Sequence, residues 1–182
     1  LILNDICHEM STCFADLLSD RQVTFIPGDA EQLSFPSGQD LIVSCSALQW
    51  FVSPELFFKR CNALLSGHGY FAFSTFGKEN LKEIAAVTGS GLHYYSLEEL
   101  KKSLSMHYNI VTAGEERIRL TFATPLDVLY HLKHTGVTAV CRQAWTKGDL
   151  QEFCDKYAKL FSCGNAVTLT YHPLYIIARK KP

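Results

Sequence analysis

Two hydrophobic rhythms alternate along this chain. Short unbroken apolar runs bounded by Gly, Pro or Asp read as buried strands, and stretches with apolar residues three and four apart read as helices. Leu1-Ile2-Leu3-Asn4-Asp5 is a run of the first kind, ending on a carboxylate. Ser11 to Leu18 has helical spacing, and Val23-Thr24-Phe25-Ile26 is a second strand closed by Pro27-Gly28-Asp29. After a loop from Leu33 to Gly38, Asp40-Leu41-Ile42-Val43-Ser44 is continuously apolar, as a parallel strand covered on both faces would be. Ser53-Pro54 sets a helix start, with Ser as N-cap and Pro in the first position. Leu56, Phe57, Cys61, Leu64 and Leu65 then mark one face, and Gly67 is expected to cap the end. Tyr70-Phe71-Ala72-Phe73-Ser74 is a fourth strand.

In the second half, Ser96-Leu97-Glu98-Glu99 is a capping box opening a helix. Asn109 to Phe122 holds one or two strands, with Ile118, Leu120 and Phe122 in alternation. Thr124-Pro125 starts a helix through about Lys133 that stops near Gly136, and Thr146 to Phe161 is a long amphipathic helix. Val167 to Ala178 closes the chain as a strand, or as a hairpin bent near Pro173. Strands alternating with helices predict an α/β fold with a mostly parallel sheet and helices on both faces. The spacing predicts a single domain over residues 1–182, with a helical insertion at about 124–162 where a lid over an active site would lie.

The 182 residues, 47% hydrophobic and 19% charged, suit one domain with a real core. A net charge of −1 argues against nucleic acid as a partner, and no apolar run approaches the roughly 18 residues of a membrane span. No signal peptide is visible. Cys7, Cys13, Cys45, Cys61, Cys141, Cys154 and Cys163 are scattered without a C-x-x-C pair, and read as reduced core thiols of a cytoplasmic protein. His131 and His134 share a helix face but lack companion ligands, so no metal site is expected.

Ligands of open parallel sheets bind beyond the carboxyl ends of the strands. Asp5, Asp29 and the segment from Ser44 to Trp50 all fall there. A carboxylate in the position of Asp5 suits the two hydroxyls of a ribose. Gly28-Asp29-Ala30 suits adenine, the acid accepting from the amino group and the next N–H donating to the ring. Either acid taken alone is as well explained as a turn former. Gly67-His68-Gly69-Tyr70-Phe71-Ala72 spells a dinucleotide fingerprint, but it follows a helix and enters a strand, the reverse of what phosphate binding needs. It reads as a helix cap plus turn. No G-x-S-x-G elbow accompanies Ser44 or Ser46, and Cys45 and Trp50-Phe51 read as packing.

The order of these pieces resembles the class I S-adenosylmethionine-dependent methyltransferases. The likeness rests on Leu3-Asn4-Asp5-Ile6, on Gly28-Asp29-Ala30-Glu31-Gln32-Leu33-Ser34-Phe35, on Asp40 to Ser44 and on Gly67 to Phe73. Ser44-Cys45-Ser46-Ala47-Leu48-Gln49-Trp50, Leu132-Lys133 before Thr135-Gly136-Val137, and Leu169-Thr170-Tyr171-His172 resemble, more narrowly, the malonyl-acyl-carrier-protein O-methyltransferases of biotin synthesis. The resemblance covers essentially the whole chain. It implies a Rossmann-like three-layer α/β sandwich with an antiparallel C-terminal strand, S-adenosylmethionine as cofactor and acyl carrier protein as substrate carrier. By the same resemblance Asp5 would hold the ribose, Ile6 would pack on adenine, Asp29 and Ala30 would hold the adenine edge, and Ser44 would approach the methionine end. Gln49 and Trp50 would face the substrate. Carrier proteins are acidic, so their docking surface is expected to be basic, with Lys133, His134 and Arg142 near the lid as candidates, though these also read as a solvated helix end. The family's first strand and Gly-rich loop have no counterpart here, so the chain is expected to be truncated at its N-terminus. That strand would lie between the one ending at Asp5 and the one starting at Asp40. Two other readings stay open: a methyltransferase of another small molecule, and a non-catalytic methyltransferase-like binding module.

Overall fold

A computed structural model describes residues 1–137 and 145–182. Its strands form three hydrogen-bonded groups. β1 (Ile2–Asp5) and β2 (Thr24–Pro27) are a parallel pair. They are linked by a 3₁₀ turn over His8–Phe14 and a one-turn helix α1 (Ala15–Leu18), where an α-helix over 11–18 was expected. Neither piece buries a side chain, so no packing enforces the α-helical form.

The central sheet has the order β3-β4-β9-β5, from β3 (Gln39–Cys45), β4 (Leu65–Phe76), β5 (Tyr108–Glu115) and β9 (Pro173–Lys180). β3 and β4 are parallel, and β9 runs antiparallel to both β4 and β5. β3, β4 and β5 therefore point one way and the last strand alone is reversed. Helices α2 (Pro54–Leu64) and α4 (Leu97–Leu104) cover one face. Their Phe57, Phe58, Cys61, Leu100 and Leu104 pack with Phe71, Phe73, Leu174 and Ile176 into the main core. The two-sided burial expected of β3 is found on one side only. Leu41 and Val43 are 56% and 58% exposed, because no described helix packs on their face.

A second core joins the antiparallel sheet β6-β8-β7 to three helices. The strands are β6 (Ile118–Phe122), β7 (Ser162–Cys163) and β8 (Ala166–Tyr171). The helices are α3 (Lys82–Thr88), α5 (Pro125–His134) and α6 (Lys147–Phe161). Val128, Leu132, Phe153, Tyr157 and Leu169 fill it, and Tyr157 donates to the Thr168 carbonyl at 2.7 Å. Thr124 and Thr146 each form the reciprocal N-cap bonds that start α5 and α6.

Several local expectations are corrected. Val167 to Ala178 is not a hairpin: β8 and β9 enter different sheets, and His172 alone between them is too short a loop to reverse the chain. Gly67 does not cap α2, which passes directly into β4 through an extended Leu65, so no left-handed residue is needed. Gly67 to Ala72 thus lies within β4, which agrees with rejecting it as a phosphate loop. Ser53 stands at the N-cap of α2 but its hydroxyl makes no capping bond. α3 and β7 were not foreseen. Nor do the cysteines form a core set: Cys61 is buried, Cys154 half-buried, and Cys7, Cys13, Cys45 and Cys163 are exposed. Cys141 lies outside the described residues.

Candidate active site

β1 and β2 end together, with Asp5 paired in register to Pro27 and the Gly28 N–H donating to the Asp5 carbonyl at 2.8 Å. Asn4 staples the following turn to β1: its Nδ2 donates to the carbonyls of Ile26 at 2.7 Å and Gly28 at 3.0 Å. Gly28 takes a φ of 132°, and a Cβ there would meet Leu33 Cδ1 at 3.3 Å, so the turn requires glycine. Asp5 Oδ1 accepts from the Cys7 N–H, and Asp29 Oδ1 from the Glu31 N–H, both at 2.8 Å. Each carboxylate keeps its second oxygen. The Ala30 N–H donates to nothing among the described residues. Two acceptor oxygens and one amide donor at adjoining strand ends fit a sugar diol and an aminopurine edge. Ile6, 76% exposed beside them, offers an apolar surface.

Glu31 ties this edge to the next one. Its two carboxylate oxygens accept from the Val52 and Ser53 N–H groups, both at 2.8 Å, at the entry to α2. The carboxylate also places a negative charge at the N-terminal end of α2, where the helix dipole favours it.

β3 ends with Ser44 opposite Phe73 and Cys45 opposite Ser74. The chain then turns at Ser46 with φ 51°, a left-handed conformation costing on the order of 1 kcal/mol or more. The turn is held by Ser46 N–H donating to the Ser74 carbonyl at 3.0 Å, and by Gln49 Nε2 donating to the Ser46 carbonyl. Gln49 Oε1 in turn accepts from the Thr75 hydroxyl at 3.2 Å. Trp50, 47% exposed, presents its ring outside. Behind this turn is a narrow cleft of about 10 Å³, room for roughly one water, lined by Leu48, Gln49, Thr75, Phe76, Tyr94 and Leu100 at the carboxyl end of β4. Among the described residues no His, Cys, Asp and Glu cluster could hold a metal, and no helix is long and apolar enough to cross a membrane.

Comparison with known proteins decides the family. A methyltransferase-domain profile matches residues 1–73. The chain is 56% identical to the malonyl-(acyl-carrier protein) O-methyltransferase of Bacteroides thetaiotaomicron, covering 100% of this chain and 73% of that protein. It is 51% identical to the enzyme of the same name from Bacteroides helcogenes, covering 100% and 71%. This chain belongs to the malonyl-(acyl-carrier protein) O-methyltransferases. A longer relative of that name from Bacteroides fragilis is 57% identical, and the chain spans 37% of its length. The fold agrees. YcgJ from Bacillus subtilis superimposes with TM-score 0.66 at 15% identity, over 100% of this chain and 82% of that one. The N-methyltransferase NodS from Bradyrhizobium japonicum, solved with S-adenosylhomocysteine, gives 0.54 at 13%, over 100% and 67%.

Beyond the carboxyl end of β4, this O-methyltransferase chain carries a network that the sequence did not announce. The buried His172 N–H donates to Asn80 Oδ1 at 3.2 Å, which fixes the amide so that Asn80 Nδ2 donates to the Tyr94 hydroxyl oxygen at 3.0 Å. Tyr94 is thereby left with its own O–H to offer at the cleft. Burial pushes its phenol above the ordinary value, against the pull of the Asn80 bond, so it stays a donor. His172 Nδ1 accepts from the Glu79 N–H at 3.1 Å, so its proton sits on Nε2, 3.2 Å from Glu115 Oε2. Gly77 lies flat on the His172 ring, where a Cβ would come within 2.6 Å.

The structure thus brings Asp5, Ile6, Asp29 and Ala30 to one edge, and Ser44, Gln49 and Trp50 to the next. Lys133 is separate, exposed in the last turn of α5 and lining neither this cleft nor the β1–β2 edge. Arg142 lies outside the described residues. Glu31 sat inside the quoted Gly-Asp-Ala-Glu run, where its reach to residues 52 and 53 could not be read. Asn80 and Tyr94 belong to no motif, and only the fold joins them.

Proposed function

We propose that the chain forms the body of an enzyme that moves a methyl group from S-adenosylmethionine to the free carboxylate of a malonyl group on acyl carrier protein, the step that disguises a malonyl primer in biotin synthesis. The observation that carries this reading is family membership, joined to two carboxylates and a free Ala30 N–H at the ends of β1 and β2. The same reading sets the enzyme in the cytoplasm, where scattered cysteines without a C-x-x-C pair stay reduced.

S-adenosylmethionine, when bound, supplies an electrophilic methyl on a sulfonium. In this reading Asp5 would hold the ribose hydroxyls, Ile6 would pack on the adenine face, Asp29 and Ala30 would hold its edge, and Ser44 would approach the methionine end. A malonyl carboxylate is already an anion at neutral pH and needs no general base. The residues at the cleft therefore position and dehydrate rather than transfer protons. Tyr94 can donate to the carboxylate oxygen that does not react, and Gln49 braces the Ser46 turn while keeping one amide hydrogen for the acceptor. Trp50 would face the acceptor, and α5 and α6, within the insertion at about 124–162, would form a lid over the site. Lys133 is the described part of the surface proposed to receive the acidic carrier, with Arg142 as its sequence neighbour.

The test is transfer of labelled methyl to a panel of acceptors. Malonyl-carrier protein should be labelled and acetyl-carrier protein, which lacks the free carboxylate, should not. Equal labelling of both, or labelling only of unrelated small acids, would remove malonyl-carrier protein as the substrate.

A further inference from the structure

An open pocket of about 400 Å³ lies on the far side of the turn that follows β4, lined by Glu79, Lys82, Arg117, Arg119 and Thr170. It has no part in the site described so far, yet topology places it at the same end of the sheet. Phe76 lines the cleft, Glu79 lines this pocket, and three residues span at most about 11 Å. The wall residues Arg119 and Thr170 come from β6 and the end of β8, and Arg117 just precedes β6; the chain leaving β8 meets the end of β4 where the Gly77 N–H donates to the His172 carbonyl and Phe76 pairs with Pro173.

The charges in it are organised. Glu79 takes Lys82 at 3.0 Å and the Arg117 Nε–H, and Glu115 takes Arg117 Nη1 at 3.1 Å. Lys82 and Arg117 are thus pinned by two carboxylates. Arg119 makes no ion pair or side-chain hydrogen bond among the described residues, so of the three cations lining the pocket it alone has no carboxylate partner; the buried Glu83 is taken up by the Thr170 N–H and hydroxyl. Arg119 presents a whole guanidinium fork, and Arg117 keeps an unused Nη2. Planar forks of this kind are suited to a phosphate carrying a single negative charge.

We propose that this pocket binds the phosphodiester of the phosphopantetheine arm that carries the malonyl thioester, with Arg119 as its principal ligand. The proposal rests on the carrier-protein reading above. A thioester acceptor held at the carboxyl ends of β3 and β4 trails its arm outward past Phe76, and the phosphodiester on that arm then meets the Arg119 guanidinium, which no carboxylate engages. The interior of the pocket needs no movement of the pinned side chains.

Three malonyl thioesters separate the sources of affinity: malonyl-carrier protein and malonyl-coenzyme A, which both hold a phosphate at the head of the pantetheine, and malonyl-pantetheine, which holds none. In Arg119→Gln, kcat/KM for each phosphorylated substrate relative to malonyl-pantetheine should fall about tenfold, the scale of one lost charge-assisted contact. An unchanged ratio overturns the proposal. So does a fall for the carrier protein alone, which would make the pocket a docking point for an acidic protein surface. Calorimetry makes the test independent of turnover. Wild type should bind phosphopantetheine more tightly than pantetheine, and Arg119→Gln should bind both alike. If wild type shows that preference but methylates nothing, the methyltransferase reading fails and the pocket stands; if it shows none, the pocket fails.

Discussion

Asp5 and Asp29 each give one carboxylate oxygen to the backbone and keep the other, so each is both a turn former and a free acceptor. The two readings open at those positions in the sequence are therefore compatible. Replacing either acid by alanine should weaken S-adenosylhomocysteine binding by about 1–3 kcal/mol, the cost of stranding a polar partner. Calorimetry of both variants, with their melting temperatures, separates lost contact from lost turn. Unchanged affinity in both would remove these acids from the site. The thiols make a second case at this scale. Burial pushes Cys61 up to about 12, whereas Cys45 and Cys163 are exposed. At pH 8 only about one Cys61 in ten thousand would be thiolate even if reagent reached it. Mass spectrometry after native alkylation should find Cys45 and Cys163 labelled and Cys61 intact. The sequence showed where the acids and thiols stand. The backbone groups that take half of each carboxylate are only two residues on, as a turn former implies, but which cysteines are buried depends on segments distant in the chain and could not be read.

Elements whose signals are local came through best. The capping box at Ser96, the Thr124-Pro125 and Thr146 starts, and the stop at Gly136 each need only a few neighbouring residues. Elements defined by distant partners came through poorly. α2 draws its N-terminal acceptor from Glu31, and β8 and β9 part at His172. Removing the Glu31 carboxylate by Glu31→Ala should lower stability by roughly 1–3 kcal/mol, since two N–H groups lose one acceptor. Urea unfolding measures it, and no change would show that water replaces the carboxylate. Gly77→Ala should be worse tolerated than most surface changes, costing about 1–3 kcal/mol, because its Cβ would overlap the buried His172 ring. At α4, the Lys78 bond and the Ser96 cap hold the Glu99 carboxyl down at about 2. A depressed acid stabilises the fold above its unfolded value, near 4.3, and loses that contribution as pH falls towards 2. Lys78→Met should therefore be less stable than wild type at pH 7, with the difference vanishing by pH 2. A gap that persists there would mean the lysine acts through packing.

For the whole molecule, the order of strands and helices was legible because each apolar run marks one element. The reversed last strand was legible through family resemblance. The partition into a central sheet and a separate antiparallel sheet with its own core was not, because sheet membership is set by pairings between β4, β5 and β9 on one side and β6 and β8 on the other. The β1–β2 pair makes no ladder with β3. The same assembly sets the cleft between Gln49 and Tyr94 at the carboxyl end of β4 and the Arg119 pocket a few residues beyond. The most direct measurement of the central claim is the intact mass of malonyl-carrier protein incubated with this protein and S-adenosylmethionine. One proton should be replaced by one methyl group, and the increment should be absent from acetyl-carrier protein and from reactions without the donor. Malonyl-carrier protein recovered at unchanged mass, while the protein demonstrably binds S-adenosylmethionine, would contradict the account.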